Sequence, residues 1–179
     1  GAMKKGFLLS LVEKLELFLY RRATRVAALT HAFKKNLVRR GIEANKIDVV
    51  LNGVDLPRYA PQTRNKKLAN KWLLQDKFVI GYVGTHGMAH GLNNVLDAAE
   101  KLQVNEKIRF LFAGAGADRK RLVEDAKNRM LSNVVFMPTQ PKEEMPAVWG
   151  LCDVALVHLK DNLAFGEVIP SKIFEAMAM

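Results

Sequence analysis

A single cysteine, Cys152, in 179 residues excludes an internal disulfide, and its apolar neighbours suit a reduced, cytosolic chain. Long hydrophobic runs are missing too. The most apolar early stretch, Gly6 to Tyr20, is broken by Glu13, Lys14 and Glu16, well short of the roughly 20 apolar residues that span a bilayer. It has no small-residue cleavage site, and the leading Gly1-Ala2-Met3 reads as a cloning remnant. No acidic cluster of metal-ligand type occurs, so no metal centre is expected. Aromatic residues are sparse, 8% of the chain, and its basic stretches offer mainly Tyr20 and Phe33 for base stacking, which disfavours nucleic acid as a partner. Repeats and low-complexity segments are absent.

What is present is enough apolar material, 49% of residues, for a sizeable core. The formal charge of +10 is unevenly distributed. Residues 1–71 hold 16 Lys and Arg against 5 Asp and Glu, net +11, whereas residues 72–179 hold 12 against 13. The basic part contains "YRRATR" and "FKKNLVRR", cationic on helices and suited to phosphates or an anionic membrane surface. A solvated face, or a face meant for a further segment, is an equal reading.

Leu8, Leu11, Val12, Leu15, Phe18 and Leu19 recur at helical spacing and predict a helix from about Phe7 to Arg22. "RVAALT" follows as a short strand, then a helix capped by Thr30 and ended by Gly41, then a strand in "IDVVLNGVD". A polar, basic stretch with Pro57 and Pro61 leads through a short helix at "KLANKWLL" to a second series. That series opens with the continuous apolar run "KFVIGYVG" and alternates strands at "IRFLFAG", "NVVFM" and "DVALVHL" with helices, the last from about Ser171. Such alternation predicts an α/β fold, a Rossmann-like doubly wound parallel sheet whose ligands bind beyond the carboxyl ends of the strands.

Three loops fall there. "GTHGMAHG", Gly84 to Gly91, can bring backbone N–H groups to an anion, but a glycine-rich turn alone leaves a purely structural role equally open. "GAGAD", Gly114 to Asp118, is a shortened dinucleotide fingerprint for which a tight turn is the better reading. In "GEVIPSKIFEAMAM", Pro170 suits a first helical turn, which would leave the N–H groups of Ser171, Lys172 and Ile173 as free donors beside the Lys172 charge. Glu167 and Glu175 flank that anion site. Carboxylates so close to a phosphate need donors of their own, and sugar hydroxyls supply them, so the pattern suggests a ligand with phosphate and polyol parts, although an acid complementing the helix dipole and an exposed helical Glu are the better reading of these two residues alone.

Glu167 and Glu175, with seven residues between them and "AMAM" after, resemble the E-x7-E motif of retaining glycosyltransferases of family 4, the group 1 enzymes of the GT-B fold. The blocks "RRATRVAALTHAFKKNLVRRG", "KIDVVLNGVD", "FVIGYVGTHGMAHGLNNVLDAAEKL" and "FLFAGAGADRKRLVEDA" agree in order. Two of the stretches look most like bacterial transferases that use UDP-activated amino sugars in O-antigen (lipopolysaccharide) or capsule polysaccharide assembly. The resemblance implies that residues 1–55 are the last α/β units of an acceptor-side domain, 56–76 a linker with a leading helix, and 77–179 a nucleotide-sugar-binding domain short of its end. The chain is then a fragment that binds a UDP-sugar donor weakly and does not turn it over, the glycan or lipid-linked acceptor being met by the absent domain.

By the same resemblance Glu175 would accept from the ribose and Glu167 would sit beside the transferred sugar. Backbone N–H groups from Val168, Ile169 and Ser171, with Lys172, would hold the diphosphate, covered by Gly84, Thr85, His86 and Gly87. Gly114 and Gly116 would admit the nucleotide, and Pro138 and Thr139 would lie at the base. Many relatives carry an Arg and a Lys in the first loop; here His86 and His90 stand instead, which shifts the charge to Lys172. The implied chemistry is transfer with retention, by electrostatic stabilisation of departing UDP, with no cofactor and no obligatory metal. Other readings are a GT-B-fold epimerase acting on a UDP-sugar and a non-enzymatic basic module. Peripheral membrane contact at the inner face of the cell membrane is compatible with the transferase reading.

Overall fold

The computed structural model describes residues 6–161 and 168–179. They form two units, one of residues 6–52 with Val168 and Ile169, the other of residues 53–161 and 170–179.

In the first unit, helix α1 (Phe7–Arg22) is followed by strand β1 (Val26–Ala28), helix α2 (His31–Arg39) and strand β2 (Ile47–Val49), which pairs parallel to β1 with Val26 opposite Ile47. Thr30 caps α2, its hydroxyl oxygen accepting from the Phe33 N–H at 3.0 Å, and Gly41 takes the positive φ that ends the helix. Val26, Ala28, Leu37, Ile42 and Ile47 form a small core against which α1 packs Leu17 and Tyr20. The stripe of Leu11, Val12, Leu15, Phe18 and Leu19 that defines α1 in the sequence stays exposed.

The second unit runs α3 (Lys66–Lys71), β3 (Phe78–Val83), α4 (Asn93–Lys101), β4 (Ile108–Ala113), α5 (Arg119–Asn128), β5 (Val134–Met137), α6 (Met145–Trp149), β6 (Val154–Ala155) and α7 (Lys172–Met177). The strands form one all-parallel sheet in the order β5-β4-β3-β6. Val79 and Val83 of β3, with Leu111 of β4, enter one core with Leu74, Met137 and Trp149. Tyr82, Phe110 and Phe112 enter the opposite one with Leu92, Leu96 and Leu122. Burial on both faces explains why β3 and β4 read as unbroken apolar runs. Gly81 is required by packing, since a Cβ there would collide with the Cys152 thiol; burial pushes that thiol up to about 12.

Two elements are shorter than the sequence pattern predicts. In "DVALVHL" only Val154 and Ala155 pair, with Ile80 and Gly81. After Leu156 donates to the Gly81 carbonyl at 2.7 Å, the chain turns to the loop following β3, where Lys160 donates to the Ala89 carbonyl. The last helix has six residues. The strand order reverses between β3 and β6, so the crevice beyond their carboxyl ends is where a doubly wound sheet places its ligand.

Candidate anion and polyol site

The loops after β3 and β4 are interlocked. The Gly84 N–H donates to the Ala113 carbonyl at 2.9 Å, the His86 N–H to the Ala115 carbonyl at 2.8 Å, and the Asp118 N–H to the His86 carbonyl at 2.9 Å. Gly84, Gly114 and Gly116 have φ of 136°, 138° and 154°. A Cβ on Gly114 would strike the Gly84 carbonyl oxygen, and one on Gly116 that of His86. Gly116 thus lets one loop approach another, the tight-turn role, and Gly114 does so while also lining a cavity.

The resemblance sets His86 among the residues covering a diphosphate, and the structure turns its side chain into the core. Its side chain is fully buried, and neither ring nitrogen is hydrogen-bonded to any of the described residues. Burial, then the nearby Arg119 and Lys172 charges, lower its pKa to about 4, so the ring is neutral at pH 7. Its N–H is also committed to Ala115. The ring packs edge-on against Phe112 and Phe136, which makes it a core residue. His90 is half-buried; burial and then Lys172 hold its pKa below the ordinary range. His90 and His158 join the loops after β3 and β6, each ring Nδ1 facing the other's carbonyl oxygen, at 3.3 and 2.6 Å.

Positive charge reaches the crevice through Lys172. Its Nζ is buried, has no hydrogen-bond partner among the described residues and lies 3.9 Å from the centroid of the fully buried Tyr82 ring. Gly84 makes room for it, because a Cβ there would stand 2.9 Å from the ammonium. Burial lowers the Lys172 pKa to about 8 against the opposing influence of Glu175. The backbone contributes less than expected, since the Ile173 N–H is donated to the Pro170 carbonyl at 3.1 Å. Ser171 precedes the helix without capping it through its side chain.

Glu175 follows in the first turn of α7. The Trp149 indole N–H donates to its Oε2 at 3.0 Å, and the buried Tyr59 phenol borders the same cavity, its pKa raised by burial first and then by this carboxylate. Tyr59, Gly84, His90, Ser171, Lys172 and Glu175 border a cavity of about 400 Å³. A second, of about 330 Å³, shares Gly84 and Thr85 and extends past Gly114 to Pro138 and Thr139. Thr85 accepts at its carbonyl from the Tyr82 hydroxyl at 2.8 Å, and Gly87 begins the short turn to His90. Val168 and Ile169 belong to the first unit and are exposed. Glu167 lies outside the described residues.

Arg119 escaped the sequence reading. From the start of α5 its Nη1 donates to the carbonyls of Gly114 and Met137 at 3.1 and 3.2 Å, tying the ends of β4 and β5, while its guanidinium lies 5.6 Å from the Phe136 ring centroid. Arg119→Met is expected to cost about 1–3 kcal/mol in urea denaturation, from carbonyls left without their charged donor. An unchanged midpoint would show that the tie contributes nothing.

The doubly wound α/β unit thus gathers a cationic group, a carboxylate held by an indole N–H and two adjoining cavities beyond the carboxyl ends of its strands. Residues 64–179 match the family Glycosyl transferases group 1, and residues 2–58 match Glycosyltransferase Family 4. The chain belongs to the group 1 glycosyltransferases. It is 29% identical over 157 residues to an Escherichia coli K12 glycosyl transferase named for colanic acid biosynthesis, covering 86% of this chain and 38% of that protein. It is 27% identical over 151 residues to a GDP-mannose-dependent alpha-mannosyltransferase of Mycobacterium tuberculosis, covering 84% and 37%. HepE of Anabaena, solved with UDP and glucose, superposes with a TM-score of 0.76 at 20% identity over 92% of this chain and 45% of HepE, which establishes the GT-B fold. The matched part of the chain spans less than half the length of each of these relatives.

Proposed function

We propose that the second unit binds the nucleotide-sugar donor of a retaining glycosyltransferase, with a UDP-linked sugar as first choice. The full enzyme would pass that sugar to a glycan or lipid-linked acceptor in surface polysaccharide assembly. The carrying observation is the Lys172 ammonium, without a hydrogen-bond partner among the described residues, in the same cavity as the Glu175 carboxylate. A diphosphate completes the first and ribose hydroxyls satisfy the second. The cavity past Gly114 to Pro138 and Thr139 has room for a base. Charge held at the leaving phosphate, which grows in the transition state, is the contribution Lys172 makes to transfer. The role of Glu167 beside the transferred sugar is carried over from the motif.

Calorimetric titration with UDP, GDP and ADP tests the reading. UDP is expected to bind, with Glu175→Ala weakening it on the order of tenfold. GDP binding in place of UDP would move the donor class towards that of the mycobacterial relative, and no binding by any of the three would overturn the site.

The exposed stripe of α1, flanked by Arg21 and Arg22 with the Arg22 guanidinium 5.7 Å from the Phe18 ring centroid, supports peripheral contact with an anionic membrane. Sedimentation with phosphatidylserine-containing vesicles should show binding lost in Leu15→Asp/Phe18→Asp. Binding that depends on salt alone and survives this double change would remove the stripe from the account.

A further inference from the structure

We infer that Tyr59 and Trp149 are positioning residues that present the Glu175 carboxylate to the ribose hydroxyls of the donor, an assignment that rests on the donor-site reading above. Glu175 sits on a six-residue helix, and its flexible side chain would have to be ordered each time a ligand bound. The Trp149 indole N–H, 3.0 Å from Oε2, and the Tyr59 phenol beside the carboxylate on the same cavity remove that requirement. They come from separate parts of the unit, Tyr59 ahead of α3 and Trp149 at the end of α6, and are only 5% and 3% exposed. Both belong to the core that packs Val79, Val83 and Leu111 of the central strands, so their polar atoms are held in place by the sheet. Neither donor was suggested by a local pattern in the sequence.

An ionised carboxylate offers about four acceptor positions. The indole takes one of them and the Tyr59 phenol, beside the carboxylate on the same cavity, is placed to take a second, leaving capacity for hydroxyl donors on the side of Glu175 that borders the cavity shared with Lys172. If the arrangement served only to satisfy a buried phenol and indole, a neutral amide oxygen would do as well. Under that alternative Glu175→Gln would leave ligand binding untouched. Under the positioning role it weakens UDP, because the charge-assisted bonds to the hydroxyls are lost.

The test compares UDP with 2′,3′-dideoxy-UDP on the wild type, Tyr59→Phe and Trp149→Phe. Tyr59→Phe removes one hydroxyl and keeps the core ring, so it remains informative if Trp149→Phe folds poorly. Each variant is expected to weaken UDP by about fivefold to tenfold, in line with loss of a hydrogen bond to a charged group, and to leave the dideoxy ligand unchanged. Equal losses for both ligands, no loss for either, or a wild type that already binds the two equally would overturn the positioning role while UDP binding stands. A wild type that binds no nucleotide would overturn the donor site and this assignment with it. Without ligand, the Trp149 indole N–H resonance should move upfield in Glu175→Ala; an unmoved resonance would show that the clamp does not exist in solution.

Discussion

Lys172→Met should make the protein more stable and its nucleotide binding much weaker. The ammonium is buried without a hydrogen-bond partner among the described residues, and burial has lowered its pKa from 10.5 to about 8. Because the folded pKa lies below the unfolded one, the unfolded chain binds more protons between those values, and stability rises with pH through that window. The corresponding penalty is fully present below pH 8, where folding must bury the charge. Removing it should raise stability at pH 7 by about 1–3 kcal/mol, discounted for the attraction of the Tyr82 face and Glu175. In the same variant UDP affinity should fall on the order of 10- to 100-fold, from loss of the charge-assisted contact to the diphosphate. In the wild type, affinity should decline above about pH 8 as the ammonium loses its proton, and binding near that pH should take protons from the buffer. Denaturation curves and calorimetry in two buffers of different ionisation enthalpy read both halves. A Lys172→Met protein that is destabilised and binds UDP normally would mean that the residue is structural.

Gly114→Ala is expected to disable the site through the backbone. The residue has φ of 138°, and its new Cβ would meet the Gly84 carbonyl, which belongs to a backbone with little freedom to yield. Gly84 donates to Ala113, and Gly114 itself donates to Met137 at 3.1 Å, so both loops would shift together. A cost on the order of 2–4 kcal/mol follows from combined strain and lost loop bonds, with loss of UDP binding because Gly84 borders both cavities. Gly53→Ala is the control, since a Cβ there meets nothing within 4 Å. If Gly114→Ala behaves like Gly53→Ala, the interlock is not what shapes the crevice.

The alternating apolar runs announced the sheet because β3 and β4 are buried on both faces, and a strand of that kind writes its environment into consecutive residues. Thr30 and Gly41 announced the ends of α2 because capping is local. The pair Lys172 and Glu175 was readable for a similar reason: both sit within one turn of a single helix. Their surroundings were not, since Trp149 donates to Glu175 and Tyr59 borders its cavity from distant segments, and their own neighbours in the chain say nothing of it. His86 shows the opposite failure. A histidine in a glycine-rich loop looks like a polar ligand contact, and only the packing of Phe112 and Phe136 reveals it as part of the core. The strand at "DVALVHL" was overextended because composition records burial and β propensity, while the length of a ladder depends on where the neighbouring strand stops pairing.

Side-chain NMR of Lys172, observed at its ammonium-bearing carbon while UDP is added at constant pH and then over a pH series, tests the central claim most directly. The account predicts a saturable shift that is absent in Lys172→Met, and a pKa near 8 in the free protein that rises when UDP is bound. A Lys172 signal that titrates identically with and without UDP, while UDP binding is detected elsewhere, would contradict it.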